Sequence, residues 1–217
     1  MNEWSPFELA AVAETHRNLS TLLQQPELLL KEEDESSSLR HFYITGELSE
    51  FAFPGSYRLE LLLLQNDQSQ GAVVNSISVL GRADPERCAA CRDRQAAGSH
   101  VRGYMHLDPR LILYLIGQLP PDRRATITEL EHLVVLIQES FGMRLVKPDG
   151  TALAAAGPLA APNNSSLEEI QAPKLSLHSQ VIKFQSAEGA TPAVPPIKFE
   201  QRVTHGTFGD SGGWKVL

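Results

Sequence analysis

Strand-like segments follow one another at short intervals between residues 39 and 80, and this order constrains the fold more than any other feature. Within residues 57–63, apolar side chains first alternate with Arg58 and Glu60, which is the period of a strand, and the run then becomes wholly apolar. Neighbouring parallel strands need a crossover helix between them, and none is indicated in this stretch. We therefore expect a mainly β protein, an antiparallel β-sandwich with flanking α-helices.

Helical spacing occurs on both sides of these strands. An N-cap serine, a proline at the first helical position and a capping-box glutamate predict a helix from Pro6 to about Gln24. A second helix is predicted from Asp108 to Ile116. A third is predicted from Thr126 to Ser140, with a capping box of Thr126 and Glu129 at its start and Gly142 at its end. Further strands are predicted at Val73–Leu80, Val101–Met105, Met143–Val146 and Leu175–Val181.

These patterns divide the chain into two parts. Residues 1–38 combine the first helix with a charged segment, Lys31–Ser38, which we expect to be a solvated loop or a disordered insert. Residues 39–217 form the β domain. Within it, residues 151–166 are rich in Ala, Pro, Asn and Ser and predict a flexible linker. The Pro- and Gly-rich residues 189–213 are expected to lie extended over the surface.

Composition excludes several classes of function. The 217 residues carry a formal net charge of -7, which argues against a nucleic-acid partner. The longest apolar run, Leu61–Leu64, is far shorter than the ~20 residues of a membrane span, so no membrane partner is expected. The N-terminal residues lack the pattern of a secretory signal, and we expect a cytoplasmic protein. Neither a nucleophile elbow, a P-loop nor a dinucleotide-binding glycine pattern occurs.

The Cys88-x-x-Cys91 motif is the sequence pattern with the clearest chemistry. Two soft thiolates at this spacing can hold Cu(I), contribute half of a zinc site or close a redox disulfide. We expect them in a charged, solvent-accessible loop, where nearby cations would stabilise thiolates. Those cations are Arg87, Arg92 and Arg94.

Other interpretations of this region stay open. A zinc site of the two cysteines with His100 and His106 is formally possible, although the spacing differs from a common zinc finger. The cysteines could equally be ordinary reduced residues. A separate site of Tyr104, His106 and Asp108 is conceivable if that stretch is a strand, because alternate residues of a strand share a face.

Four segments carry further motifs. They are Arg40-His41-Phe42-Tyr43-Ile44-Thr45-Gly46-Glu47 with Phe53-Pro54-Gly55-Ser56-Tyr57-Arg58-Leu59; Cys88-Ala89-Ala90-Cys91 with Val101-Arg102-Gly103-Tyr104-Met105-His106-Leu107; Phe141–Val146 with Asp149-Gly150; and Leu175–Val181 with Val203-Thr204-His205-Gly206. In this order they resemble the C-terminal β-rich domain of fungal-type tyrosinases, over about residues 39–213.

The resemblance implies a relation to a copper enzyme. In that family a helical core binds two coppers through three histidines each and oxidises phenols to catechols and quinones. Its C-terminal domain shields the active site until proteolysis, and its Cys-x-x-Cys is implicated in copper loading. Cys88 and Cys91 match that pair. The family often places an aromatic plug before the cysteines, whereas residues 77–80 hold none.

The seven histidines of this chain are dispersed, without the helical pairs that a dicopper site needs. The resemblance therefore implies a tyrosinase-like accessory protein, not catalytic alone. It would bind transient Cu(I) at Cys88 and Cys91 and have no intact dicopper site. Its partner would be a tyrosinase core domain in trans, in fungal pigment (melanin) or aromatic polyketide secondary metabolism. The alternatives are a small stand-alone oxidoreductase, a zinc-stabilised binding module and a plain binding scaffold.

Overall fold

The computed structural model describes residues 30–33, 36–64, 71–81, 88–127, 129–159, 164–168, 172–184, 197–208 and 213–217. The helix predicted from Pro6 to about Gln24 lies outside these residues. The expected class is confirmed, because two antiparallel sheets and several helices make up the described chain.

The described elements comprise eleven strands and four α-helices. The strands are β1 (Leu30–Glu33), β2 (Ser36–Ser49), β3 (Tyr57–Leu64), β4 (Gly71–Val79), β5 (His100–Leu107), β6 (Phe141–Val146), β7 (Ala152–Ala156), β8 (Lys174–Phe184), β9 (Ile197–Phe199), β10 (Val203–Thr207) and β11 (Lys215–Val216). The helices are α1 (Ala89–Ala96), α2 (Pro109–Gln118), α3 (Pro121–Thr126) and α4 (Leu130–Ser140).

The strands form two sheets. One has the order β1-β2-β8-β10, with β5 also paired to β2 and β9 to β8; the other has the order β11-β7-β6-β3-β4. The chain divides into two compact units. The first comprises residues 1–42, 107–136 and 178–205, and the second comprises residues 43–106, 137–177 and 206–217.

In the first unit, α2 confirms the helix predicted from Asp108. The Asp108 side chain caps it by accepting a hydrogen bond from the Arg110 backbone N–H at 2.9 Å. The apolar face of α2 is buried through Ile112 and Ile116. The Arg124 guanidinium donates to the carbonyl oxygens at the end of α2, where helix carbonyls lack partners of their own.

The second unit is centred on β3, which lies between β4 and β6. Leu59 of β3 is aligned with Ile77 of β4 on one side and with Leu145 of β6 on the other. Leu59, Leu61 and Leu145 are fully buried. The continuous apolar residues Leu61 to Leu63 are all buried, so both faces of β3 are covered in this part of the strand.

The Gly55-Ser56-Tyr57 turn before β3 depends on the backbone conformation of its glycine and on hydrogen bonds from its two hydroxyl groups. Gly55 has a φ of 82°, a conformation that glycine adopts without steric cost. The Ser56 hydroxyl donates to the Gly81 carbonyl at 3.2 Å. The Tyr57 hydroxyl donates to the Ser49 carbonyl, and burial raises the pKa of Tyr57, which keeps this donor protonated.

Two predictions about loops are wrong. Residues 31–33 and 36–38 do not form a loop but belong to β1 and β2, which pair antiparallel with Lys31 aligned with Ser38. Residues 152–156, within the predicted linker 151–166, form β7, and a 3-10 helix follows at Gly157–Leu159. Ala154 to Ala156 are buried. The division of the chain at residue 38 stays a prediction.

The predicted helix boundary at Thr126 is also wrong. Thr126 ends α3, where its hydroxyl donates to the Arg123 carbonyl at 2.8 Å, and α4 begins at Leu130. Gly142 does not terminate a helix but lies inside β6. A Cβ atom at Gly142 would meet Leu159 at 2.6 Å, so the glycine is required by close packing.

Candidate functional site

Cys88 and Cys91 lie at the start of α1. Cys88 is the N-cap residue, with an extended backbone, and Cys91 lies in the first turn of the helix. The Cys91 backbone N–H donates to the Cys88 carbonyl at 2.9 Å and closes this turn. The predicted charged loop is therefore wrong for Cys91, since the chain becomes helical at Ala89. Arg87 lies outside the described residues.

The two cysteines differ in exposure. Cys91 is 2% exposed, whereas Cys88 is half-buried, so the expected solvent accessibility is wrong for Cys91. The Arg94 guanidinium lies one turn further along α1 and donates to the Cys91 sulfur at 3.8 Å. It also forms an ion pair with Glu50 at 3.2 Å. A positive group therefore faces the buried sulfur, and Glu50 holds it in place.

The zinc arrangement considered from the sequence is not formed. His100 and His106 lie on β5 with exposed side chains. Within the ranges that the structure describes, no group of three or more His, Cys, Asp and Glu side chains could hold a metal ion. Cys88 and Cys91 are thus left as two candidate ligands, which are too few for a tetrahedral zinc site.

The separate site of Tyr104, His106 and Asp108 is divided by the fold. Tyr104 and His106 do share one face of β5, and both rings approach the ring of Tyr43 at 6.3 Å. Tyr104 is 63% exposed. Asp108 instead caps α2, where its hydrogen bond with Arg110 lowers the pKa of its carboxyl. It is therefore held as an ionised cap and is not available as a general acid.

A polar cluster between β8 and β10 was not recognised in the sequence. Ser179 Oγ lies 2.7 Å from His205 Nε2, and His178 Nδ1 lies 3.0 Å from Thr204 Oγ1. Arg40 of β2 donates to Ser179 Oγ at 3.3 Å. The one available signal was the pair of adjacent polar residues, His178 and Ser179, in the predicted strand. Their partners lie in the tail, which was predicted to be an extended surface segment.

The Ser179–His205 pair is suited to structure rather than catalysis. Ser179 is fully buried, so a substrate cannot reach its hydroxyl. A catalytic histidine beside a serine is normally oriented by a carboxylate, whereas the cation Arg40 faces this pair. The cluster satisfies buried polar groups and attaches β10 to β8.

We expect the first unit to lose stability on acidification. Burial lowers the pKa of both His178 and His205 below 6.5; Arg202 and His205 act on His178 in the same direction, and Arg40 acts on His205. At pH values between the lowered folded-state pKa values and 6.5, the unfolded chain binds more protons than the folded chain. The free energy of unfolding is therefore highest above pH 6.5 and decreases as the pH falls through the folded-state pKa values of the two histidines.

Urea unfolding followed by circular dichroism from about pH 8 to about pH 5 measures this dependence. The variant carrying His178→Asn and His205→Asn should show a flatter pH dependence than wild type. An equal slope in the two proteins would contradict the assignment.

Comparison with known proteins gives a limited result. No protein-family model and no curated protein matches the sequence. A structure of recombinant mushroom tyrosinase (abPPO4) matches with a TM-score of 0.45 and 11% identity, over 83% of this chain and 26% of that one. A structure of coexistent latent and active mushroom tyrosinase (abPPO4), mediated by a hexatungstotellurate(VI), matches with a TM-score of 0.41 and 14% identity, over 79% and 27%.

The chain thus spans about a quarter of the length of the tyrosinase chains that it matches. Likenesses at these TM-scores assign neither a family nor an activity. Among the described helices, none combines the length and apolar character that crossing a membrane requires. The protein class defined by the fold is a two-sheet antiparallel β protein with a cysteine pair at a helix start.

Proposed function

We propose that this chain is a tyrosinase-like accessory protein that is not catalytic alone and holds one Cu(I) transiently through Cys88 and Cys91. It would act with, or derive from, a phenol-oxidising copper enzyme. The observation that carries the proposal is the placement of two thiols on one helical turn, with one sulfur half-buried and the other enclosed.

The chemistry of this turn suits a soft monovalent cation. Thiolates are preferred ligands of Cu(I), which tolerates low coordination numbers. Arg94 beside the Cys91 sulfur offsets negative charge on a thiolate there. The partial exposure of Cys88 leaves a route by which copper could pass to a partner. A site that is open on one side suits transient rather than permanent binding.

The family resemblance is supported by the structural roles of its motif residues. The Gly55-Ser56-Tyr57 motif forms the turn before β3. Gly103 leaves room for a side chain of β4, and Arg144 forms an ion pair with a buried carboxylate. Three of the four motifs thus contain a residue on which local packing depends. These roles are consistent with a shared β domain.

The absence of catalysis by the chain alone is proposed from its histidines. A dicopper site needs six histidines in two clusters on a helical scaffold. His178 and His205 are engaged in the β8–β10 cluster, and His100 and His106 lie on β5. The proposed partner is a core domain of tyrosinase in trans, in the cytoplasm, within pigment or aromatic secondary metabolism.

Competition with a Cu(I) chelator tests the metal assignment. Reduced wild-type protein should withdraw one Cu(I) per chain from the chelator, because two thiols are available. Cys88→Ser should abolish this binding, whereas the control His100→Ala should bind as wild type does. If wild type and Cys88→Ser compete equally poorly, the cysteine pair does not bind copper and the metal role is wrong.

Oxidation of a phenol substrate tests the accessory role. Purified protein loaded with copper should show no turnover by itself. Adding it, copper-loaded, to a copper-free tyrosinase core should restore activity to that core, and Cys88→Ser should not. Binding of two coppers together with catechol oxidation by this chain alone would contradict the proposal.

A further inference from the structure

We propose that Cys88 and Cys91 form a reversible dithiol–disulfide couple, in which Cys88 reacts first with a low-molecular-weight disulfide and Cys91 resolves the mixed disulfide. This activity goes beyond copper binding and does not require a metal. It uses the same two sulfurs, so the oxidised pair would be unable to bind Cu(I).

The geometry of the turn brings the two cysteines within bridging range. The hydrogen bond from the Cys91 N–H to the Cys88 carbonyl closes a four-residue turn. The Cα atoms at the two ends of such a turn lie less than about 7 Å apart. Disulfides usually join Cα atoms within that range. Cys88 has an extended backbone rather than a helical one, so its side chain leaves from outside the regular helix.

The difference in exposure assigns the order of reaction. An external disulfide can reach the half-buried Cys88 but not Cys91, which is 2% exposed. Cys91 does not need access to solvent, because its attack is on the neighbouring Cys88 sulfur. The Arg94 guanidinium, which is anchored by Glu50, donates a hydrogen bond to the Cys91 sulfur.

The two steps of thiol–disulfide exchange conserve atoms, protons and electrons. Cys88 attacks one sulfur of an external disulfide, the external S–S bond breaks, and the first thiol leaves with the proton that Cys88 gives up. Cys91 then attacks the Cys88 sulfur of the mixed disulfide, and the second thiol leaves with the Cys91 proton. Two protein thiols are oxidised to one disulfide, and one external disulfide is reduced to two thiols.

Oxidised glutathione is a suitable probe, used on full-length protein with a metal chelator present. Intact mass should show that wild type loses two hydrogens and retains no glutathione. Cys91→Ser should stop at one bound glutathione on Cys88. Cys88→Ser should react at least about tenfold more slowly, because its remaining thiol is buried.

Equal reaction rates of Cys88→Ser and Cys91→Ser would overturn the assigned order, and two glutathiones retained on wild type would overturn the couple. Circular dichroism should first show that both variants fold. Because the chelator removes copper, this result is independent of the Cu(I) competition. Failure of copper binding with intact disulfide formation would reject only the Cu(I) role, and intact copper binding without disulfide formation would reject only the redox couple.

Discussion

Replacing Glu60 by alanine should lower the free energy of unfolding of the second unit by about 3 kcal/mol, in the range for breaking a buried ion pair. Glu60 is 3% exposed and its two oxygens are each bound by an arginine, Arg58 at 2.6 Å and Arg144 at 2.7 Å. The alanine would leave two guanidinium groups without their carboxylate. Both arginines are 39% exposed and can reach water, which places the loss at the lower end of that range.

Urea unfolding followed by the fluorescence of Trp214, a buried residue of the same unit, measures this loss. Glu47→Ala is the matched control, because Glu47 also pairs with an arginine, Arg102, at 3.1 Å. That pair is exposed, so its removal should cost at most about 1 kcal/mol. Equal losses in the two variants would show that burial of Glu60 adds nothing to its ion pairs.

Replacing Gly103 by valine should lower the free energy of unfolding by about 3 kcal/mol, the upper end for overpacking a core. A Cβ atom at Gly103 would lie 2.8 to 2.9 Å from three side-chain carbons of Ile77, which is 7% exposed. Gly46 of β2 approaches the same side chain, with a Cβ distance of 2.9 Å. The two glycines form the space that Ile77 occupies. Valine favours strands, so a loss would be due to the clash and not to propensity.

A double-mutant cycle with Ile77→Ala separates the steric clash with Ile77 from any effect of strand propensity. Ile77→Ala alone should cost about 2 to 5 kcal/mol because it leaves a cavity. Combined with Gly103→Val, the new side chain would occupy part of that cavity, and the double variant should lose less than the sum of the single losses. Additive losses, measured by the same urea unfolding, would contradict the packing of Ile77 against Gly103.

Most of the strands could be predicted because their signals are local. The apolar alternation that begins at Tyr57 and the turn at Gly55 depend on a few neighbouring residues, and so does the cap at Asp108. The same locality explains the errors. The capping box of Thr126 and Glu129 predicts the start of a helix, whereas Thr126 is the last residue of α3 and its hydroxyl donates to the Arg123 carbonyl. The alanines of β7 have low strand propensity and are paired only because β6 and β11 lie beside them.

In the candidate site, too, local features could be predicted from the sequence and contacts between distant residues could not. The residue type and the spacing of Cys88 and Cys91 indicate a soft-metal site or a disulfide, and both features can be read from the sequence. The burial of Cys91 and the contact of Arg94 with Glu50 could not be derived, because Glu50 follows the end of β2, distant from Arg94 in the sequence. The β8–β10 cluster was missed for a similar reason, since Ser179 and His205 are separated by 26 positions.

The sequence by itself therefore determined the antiparallel β class, the position of most strands, and the identity and spacing of the two thiols. These features depend on backbone period, turn geometry and residue chemistry within a few positions. Only the tertiary structure decided which sulfur is enclosed, which carboxylates are buried and which glycines must remain small. Glu60 and Arg144 lie 84 positions apart, and their contact exists only when β3 and β6 pair. Burial and cross-strand partners result from the packing of distant segments, which no local pattern encodes.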